Sequence, residues 1–168
     1  MVRTCEANLH LIPDYETRMP GAQDCLRTAC ELLDSALRLY FQGNANVAAL
    51  HLAGAAEELF GRHLRERGYA PFIDQLQTVM MDAWKALVEE DPGVAERSTM
   101  TRATIAEFIN HAKNHVKHSI QPASFDARTE SRAILARAAL NYSHLLRAGA
   151  SLEPSELCKG SNRKILST

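Results

Sequence analysis

The segment Asn46-Val-Ala-Ala-Leu-His-Leu-Ala-Gly-Ala-Ala-Glu-Glu-Leu-Phe-Gly-Arg-His-Leu-Arg-Glu66 decides the fold class of this chain. Its apolar residues recur at intervals of three and four, which is the spacing of one face of an α-helix. Asn44 or Asn46 can cap the first turn, and the pattern predicts a helix that continues to about Arg67. The apolar face consists of Ala49, Leu52, Ala53, Ala56, Leu59, Phe60 and Leu64.

A second stripe on this helix contains two glycines. Glycine inside a helix costs about 1 kcal/mol relative to alanine, so Gly54 and Gly61 predict close approach of another backbone, from a neighbouring helix or a second subunit. Glu58 and Arg62 are spaced for a surface ion pair. The stripe comprises Val47, His51, Gly54, Glu58, Gly61 and Arg62.

Helical periodicity continues on both sides of this segment. An earlier helix is expected to end at Gly43, and a later one at the turn Asp91-Pro-Gly93. A fourth helix is predicted to be capped by Ser98 or Thr99, and a fifth by Ser124 or Asp126. The apolar faces of the first, third and fifth helices are Leu26, Ala29, Cys30, Leu33, Ala36, Leu37, Tyr40 and Phe41; Ile73, Leu76, Met80, Ala83, Trp84 and Leu87; and Leu135, Ala138, Tyr142, Leu145 and Leu146.

Helices with short connections and no strand alternation predict an all-α fold, an antiparallel bundle of about five helices. We expect residues 20–148 to form this bundle, residues 1–19 an N-terminal arm and residues 149–168 a flexible C-terminal tail. Pro13 and Pro20 interrupt the arm, and Gly149 and Pro154 end the last helix.

Composition excludes several classes of protein. The 168 residues carry 19 basic and 20 acidic side chains, so no overall positive field indicates nucleic-acid binding, which leaves a local basic patch as the alternative. Neither a signal sequence nor a membrane-spanning apolar run is recognisable, which favours a cytoplasmic protein. The four cysteines, Cys5, Cys25, Cys30 and Cys158, have no metal-binding spacing, and we expect reduced thiols.

The fourth predicted helix carries the densest polar segment, Glu107-Phe-Ile-Asn-His-Ala-Lys-Asn-His-Val-Lys-His118. Its predicted buried stripe is Ile105, Phe108, Ile109, Ala112, Val116 and Ile120. The polar residues fall elsewhere on the helix and are expected to be exposed or to face a groove. They form an acidic and histidine stripe of Glu107, His111, His115 and His118, a set of Asn110, Asn114 and Lys117 opposite the core, and Lys113 at the border of the apolar stripe.

Three interpretations of this polar segment compete. It can be an ordinary solvated helix face, with Glu107 and His111 as a pair four residues apart. It can be a metal site, because His111 and His115 lie one turn apart and Glu107 or His118 can add a ligand. The His-Glu-x-x-His and paired Glu-x-x-His patterns of known helical metal sites are absent, so we predict no metal or other cofactor.

The third interpretation is acid–base chemistry on a phosphodiester. Metal-free RNA cleavage needs a base for the 2′-hydroxyl, a cation for the developing negative charge and an acid for the leaving oxygen. Histidine serves in either proton-transfer role, while a cation and an amide hold the phosphate. Lys113, Asn114 and His118 supply these groups within two helical turns.

Lys113-Asn114-His115-Val116-Lys117-His118 resembles the motif of the HEPN superfamily (higher eukaryotes and prokaryotes nucleotide-binding). In that family an Arg, a following polar residue and a later His lie on a late helix of a four- or five-helix bundle. Leu50-His-Leu-Ala-Gly-Ala-Ala-Glu-Glu-Leu-Phe60 is similar to the family's helix of small residues with a glutamate. The resemblance covers roughly residues 22–147.

The resemblance implies an RNA- or nucleotide-binding domain with metal-independent endoribonuclease activity. It assigns the acid–base role to His118, phosphate positioning to Asn114, the cationic role to Lys113 and a supporting carboxylate to Glu57 or Glu58, of which we select Glu58. We expect Asn110, His115, Lys117 and Arg62 to contact the phosphate or RNA. The resemblance also implies a homodimer in which two motifs share a groove. We expect neither membrane attachment nor sequence-specific DNA binding.

One position departs from the family pattern. Lys113 stands where the family has arginine, and a lysine is a point charge without the planar fork that holds two phosphate oxygens. The alternative function is therefore a non-catalytic helical interaction module, either a scaffold or the inactive partner of a toxin–antitoxin or defence system.

Overall fold

The computed structural model describes residues 21–43, 45–118 and 125–152. The predicted arm at residues 1–19 and most of the predicted tail lie outside these ranges, as do Asn44, Ile120 and Ser124. The described residues form six helices and no strand, which confirms the all-α class. They are α1 (Ala22–Gln42), α2 (Asn46–Glu66), α3 (Phe72–Glu90), α4 (Gly93–Arg97), α5 (Arg102–His118) and α6 (Ala127–Arg147).

Helix α4 is the element that the sequence did not predict. Pro92 adopts a right-handed helical conformation, and the carboxylate of Asp91 accepts a hydrogen bond from the backbone N–H of Gly93 at 3.0 Å. Asp91-Pro-Gly93 therefore ends α3 and at once begins a further helical turn, because an aspartate before a helix satisfies an otherwise unpaired donor.

The predicted helix ends are partly confirmed. Gly43 ends α1 in the left-handed conformation with φ 76°, and Asp126 caps α6 by accepting a hydrogen bond from the N–H of Arg128. Of the two caps predicted for α2, Asn44 lies outside the described residues, and Asn46 is wrong because it is the first helical residue after Ala45. The caps predicted for α5, Ser98 or Thr99, are also wrong, because this helix begins at Arg102.

Thr101 performs the capping role at the start of α5. Its hydroxyl accepts a hydrogen bond from the N–H of Thr104, whose own hydroxyl accepts one from the N–H of Thr101. Two donors of the first turn are satisfied in this reciprocal way.

Helix α2 lies between α1 and α6, and these three helices supply most of the core. Phe60 is fully buried, and its ring centroid lies 5.7 Å from that of Tyr142 on α6. Leu33, Leu37, Leu50, Leu64, Leu135 and Leu145 are also fully buried. The apolar face predicted for α2 therefore lies at the centre of the hydrophobic core.

The directions of these helices differ in one respect from the predicted antiparallel arrangement. The end of α1 meets the start of α6, where the Arg128 guanidinium lies over the Tyr40 ring. Along α2 and α6, however, the contacting residues follow each other in the same order. Ser131 donates to the Asn46 carbonyl near the start of both helices, and Asn141 donates to the Glu57 carbonyl further along both. Helices α2 and α6 therefore run in the same direction, which the intervening helices α3–α5 make feasible.

Helix α3 lies at the edge of the bundle, and none of its residues is buried. The predicted core face is wrong in this respect: Leu87 is 53% exposed and Trp84 only half-buried. The helix is instead fastened at its beginning by a hydrogen bond from the Phe72 N–H to the Asn141 side chain and by the exposed Arg65–Asp74 ion pair.

Helix α5 buries only part of its predicted apolar stripe. Ile105 and Ala112 are buried, but Phe108 is 74% exposed and Ile109 and Val116 are half-buried. The prediction that Phe108 faces the core is therefore wrong. In the part of the chain that the structure describes, no helix combines the length and apolar character needed to cross a membrane.

The two described cysteines differ in environment: Cys25 is exposed and Cys30 buried, and both are free thiols. Burial raises the pKa of the Cys30 thiol to about 11, with further contributions from Asp34 and Glu31. At pH 8 a much smaller fraction of Cys30 than of an ordinary cysteine is therefore present as the reactive thiolate.

We expect iodoacetamide to modify Cys25 quickly and Cys30 slowly in the native protein, as measured by peptide mass spectrometry. Equal rates in the native protein would contradict this environment, whereas equal rates after denaturation are the control.

Candidate functional site

Lys113, predicted at the border of the apolar stripe of α5, lies inside the protein. It is only 6% exposed, and its ammonium nitrogen lies 3.1 Å from Oε1 of Glu58 and 3.6 Å from Oε2 of Glu57. Charged side chains are rarely buried unless they are paired, and here a cation from α5 meets two carboxylates from α2. The expectation that the polar set lies outside the core is wrong for this residue.

Gly54 makes room for the Lys113 side chain. A Cβ atom at this position would lie 2.8 Å from Cδ and 3.0 Å from Cγ of Lys113. The glycine therefore permits the aliphatic part of a lysine to cross α2, and the prediction of a neighbouring backbone at this position is wrong. At Gly61 the nearest atoms belong to the side chains of Pro71 and Asn141, at ordinary contact distances of 3.5 Å and 3.6 Å.

Glu57 is the most buried acid of the site and is paired with Arg137 of α6. Nε of Arg137 lies 2.8 Å from Oε1 of Glu57, and Nη2 donates a hydrogen bond to Oε2 at 3.1 Å. Such a two-point arrangement uses the planar fork of arginine. With Lys113 beside it, the Glu57 carboxylate contacts two cations from two different helices.

The Arg137 guanidinium also contacts α5. Nη1 donates a hydrogen bond to the backbone carbonyl of Ile109 at 3.1 Å, and Nη2 lies 3.5 Å from Oδ1 of Asn110. Asn110 in turn donates to the Ala106 carbonyl at 2.9 Å. The half-buried Asn110 amide is therefore engaged within the protein, which leaves it poorly placed for the RNA contact predicted from the sequence.

Glu58 forms the solvent side of this arrangement. Its carboxylate accepts a hydrogen bond from Lys117 at 2.8 Å and pairs with Lys113. Burial raises the pKa of the Glu58 carboxyl, but hydrogen bonds from Lys117 and Lys113 outweigh it, and the pKa lies below its usual value. Glu58 thus pairs with two lysines of α5 and not, as predicted, with Arg62, which is exposed.

We call Glu57, Glu58, Lys113, Lys117 and Arg137 the ion network. Two carboxylates of α2 face two cations of α5 and one of α6. The network joins α5 to the α2–α6 core. Among the predicted site residues it brings together Lys113, Lys117 and Glu58, and through Arg137 it reaches Asn110.

The remaining predicted residues of α5 lie on its outer surface. Asn114 and His118 are exposed, as are Glu107 and His111. His115 is half-buried, with its ring centroid 5.6 Å from that of Phe125 and 6.2 Å from that of His111. The structure therefore separates the predicted motif into a buried cation, Lys113, and an exposed amide and imidazole, Asn114 and His118.

Sequence reasoning missed Arg137 and Asn141, although a signal for both was present. Both residues lie on the buried face of α6, together with Ile134, Ala138 and Leu145. A polar side chain on an apolar helix face requires a buried partner. Asn141 meets this need by accepting from the Phe72 N–H at 2.8 Å and donating to the Glu57 carbonyl at 3.4 Å.

No group of three or more histidine, cysteine, aspartate or glutamate side chains within residues 21–43, 45–118 and 125–152 converges as metal ligands would. His111 and His115 are neighbours but form only a pair. No family model, curated protein or solved structure matches the chain.

Proposed function

We propose that this protein is a HEPN-like RNA- or nucleotide-binding domain that uses the outer face of α5. One observation carries the proposal: Asn114 and His118 are both exposed and lie one turn apart on the same helix, while the ion network fixes that helix to the bundle. An amide and an imidazole side by side can hold a phosphate and transfer a proton.

Metal-independent RNA cleavage is the activity we propose for this surface. His118 is the acid–base residue, and Asn114 donates to a phosphate oxygen. Lys113 is poorly placed to replace the arginine of the family, because its ammonium group is buried between Glu57 and Glu58. Lys117, whose side chain is 25% exposed, is the cation of the network best placed to attract a phosphate, with Glu58 holding it in position.

We propose further that two copies associate in the cytoplasm so that their α5 surfaces share one groove. The strongly exposed Phe108 on α5 and the incompletely buried α3 support an assembly, since large exposed apolar patches on a protein mark interaction surfaces. Val79 and Leu87 of α3 are also exposed apolar side chains.

The test compares His118→Ala with His111→Ala, an exposed histidine of the same helix outside the motif. Cleavage of a fluorescent single-stranded RNA in EDTA is followed on gels, and binding by fluorescence anisotropy. We expect His118→Ala to lower the cleavage rate by about 10²–10⁴-fold, because proton transfer is lost, and His111→Ala to leave it unchanged. Cleavage by His118→Ala at the wild-type rate would refute the assignment, as would an equal loss in both variants.

A non-catalytic interaction module is the second candidate, and the burial of Lys113 favours it. With that cation committed to two carboxylates, the surface of α5 lacks the strong phosphate clamp that cleavage needs. In this case wild-type protein neither cleaves nor binds the RNA, whereas sedimentation velocity still detects an assembly that Phe108→Ala disrupts.

A further inference from the structure

Helix α5 buries fewer apolar side chains than α2 does. Its buried residues are Ile105, Ala112 and Lys113, so one of the three is charged. Helix α2, in contrast, buries Leu50, Phe60, Leu64 and several alanines in the main core. The docking of α5 therefore depends on electrostatic contacts far more than the packing of α2 does.

Arg137 is the residue through which these contacts converge. It lies on α6, its guanidinium binds the Glu57 carboxylate of α2, and it donates to the Ile109 carbonyl of α5. No lysine could make all of these contacts, because its single ammonium group cannot reach two separate acceptors in the fixed fork geometry of arginine.

We propose that Arg137 is the positioning residue of α5, and that α5 leaves the bundle as a unit when one member of the Glu57–Arg137 pair is removed and the other is left unpaired. The docking of α5 is a property beyond the proposed function and does not depend on RNA binding. It concerns the element that carries Asn114 and His118, whatever those residues bind.

The physical reason is the cost of unpaired charge in the interior. Without the Glu57 carboxylate, Arg137 loses the carboxylate that it pairs with among the described residues, and Lys113 retains Glu58 there. Water can reach both cations if α5 moves away, and that movement exposes Ile105 and Ala112 together with the half-buried Ile109 and Val116, which is less apolar surface than α2 buries. Opening of α5 is therefore cheaper than unfolding of the α1–α2–α6 core, which is the usual pattern of local unfolding.

Hydrogen–deuterium exchange with peptide mass spectrometry tests the proposal on the full chain without RNA. We expect Glu57→Gln and Arg137→Gln each to accelerate exchange of the α5 amides by about 100-fold or more. Amides in the centres of α2 and α6 should change by less than about threefold, because the main core stays folded. Asp74→Asn, which breaks the exposed Arg65–Asp74 pair, is the matched control and should leave α5 unchanged.

Two further variants separate positioning from general destabilisation. Arg137→Lys keeps the charge but loses the fork, and we expect about tenfold faster exchange in α5. The double variant Glu57→Gln/Arg137→Gln removes both charges and should exchange more slowly in α5 than either single variant. Equal acceleration in α2, α5 and α6, or unchanged α5 exchange in both glutamine variants, would overturn the proposal. The RNA assay can fail while this result holds, so the two ideas are tested separately.

Discussion

Phe60→Ala should lower the free energy of unfolding by about 3–5 kcal/mol, the largest loss we expect from a single substitution in this protein. Phe60 is fully buried at the centre of α2, and its ring packs against Tyr142 of α6. Removing the ring leaves a cavity between two helices that the surrounding leucines can fill only in part. Urea unfolding followed by circular dichroism measures the loss.

Phe108→Ala provides the matched control, since it deletes the same ring from a side chain that is 74% exposed. We expect a change within about 0.5 kcal/mol at low protein concentration. If Phe108→Ala destabilises the isolated chain as strongly as Phe60→Ala, then Phe108 is buried in solution and the description of α5 is wrong. A loss that appears only at high protein concentration would point to burial of Phe108 between two copies.

These two phenylalanines show how far the sequence determines the fold. Both lie on an apolar stripe with helical spacing, and the spacing correctly predicts a helix around each. Periodicity gives the direction of the apolar face relative to the helix axis, but it does not tell how much of that face another element covers. Helix α2 is covered on two sides, whereas α3 and α5 lie at the edge, so Trp84 and Phe108 were wrongly assigned to the core.

The exposure of two candidate residues was predictable from the sequence, whereas the contacts of Lys113 were not. The spacing on α5 correctly indicated that Asn114 and His118 are exposed, because they lie away from Ile105 and Ala112. It could not reveal that Lys113 turns inward, since that depends on Glu57 and Gly54, more than fifty residues earlier in the chain. Long-range pairing of charges is set by the packing of the helices and leaves no periodic signal in either segment.

Gly54→Ala is the second prediction with a large expected effect, and its sign is opposite to that of most glycine-to-alanine changes in helices. Alanine normally stabilises a helix interior by up to about 1 kcal/mol relative to glycine. Here the new Cβ would lie 2.8 Å from Cδ of Lys113, whose ammonium group is held by Glu57 and Glu58. We expect a net loss of about 1–3 kcal/mol in the free energy of unfolding, measured in urea, because the overpacked lysine must leave its partners.

Gly61→Ala in the same helix is the control, because its Cβ would meet only ordinary contacts at 3.5 Å or more. We expect that variant to be as stable as the wild type or more stable, by up to about 1 kcal/mol. In a Lys113→Ala background Gly54→Ala should behave in the same way, since the obstructing side chain is gone. The sign of the Gly54 effect thus depends on a residue of another helix, which is the signature of direct coupling between two sites. If Gly54→Ala stabilises the wild-type protein, Lys113 is free to move, and the ion network does not fix α5 against α2.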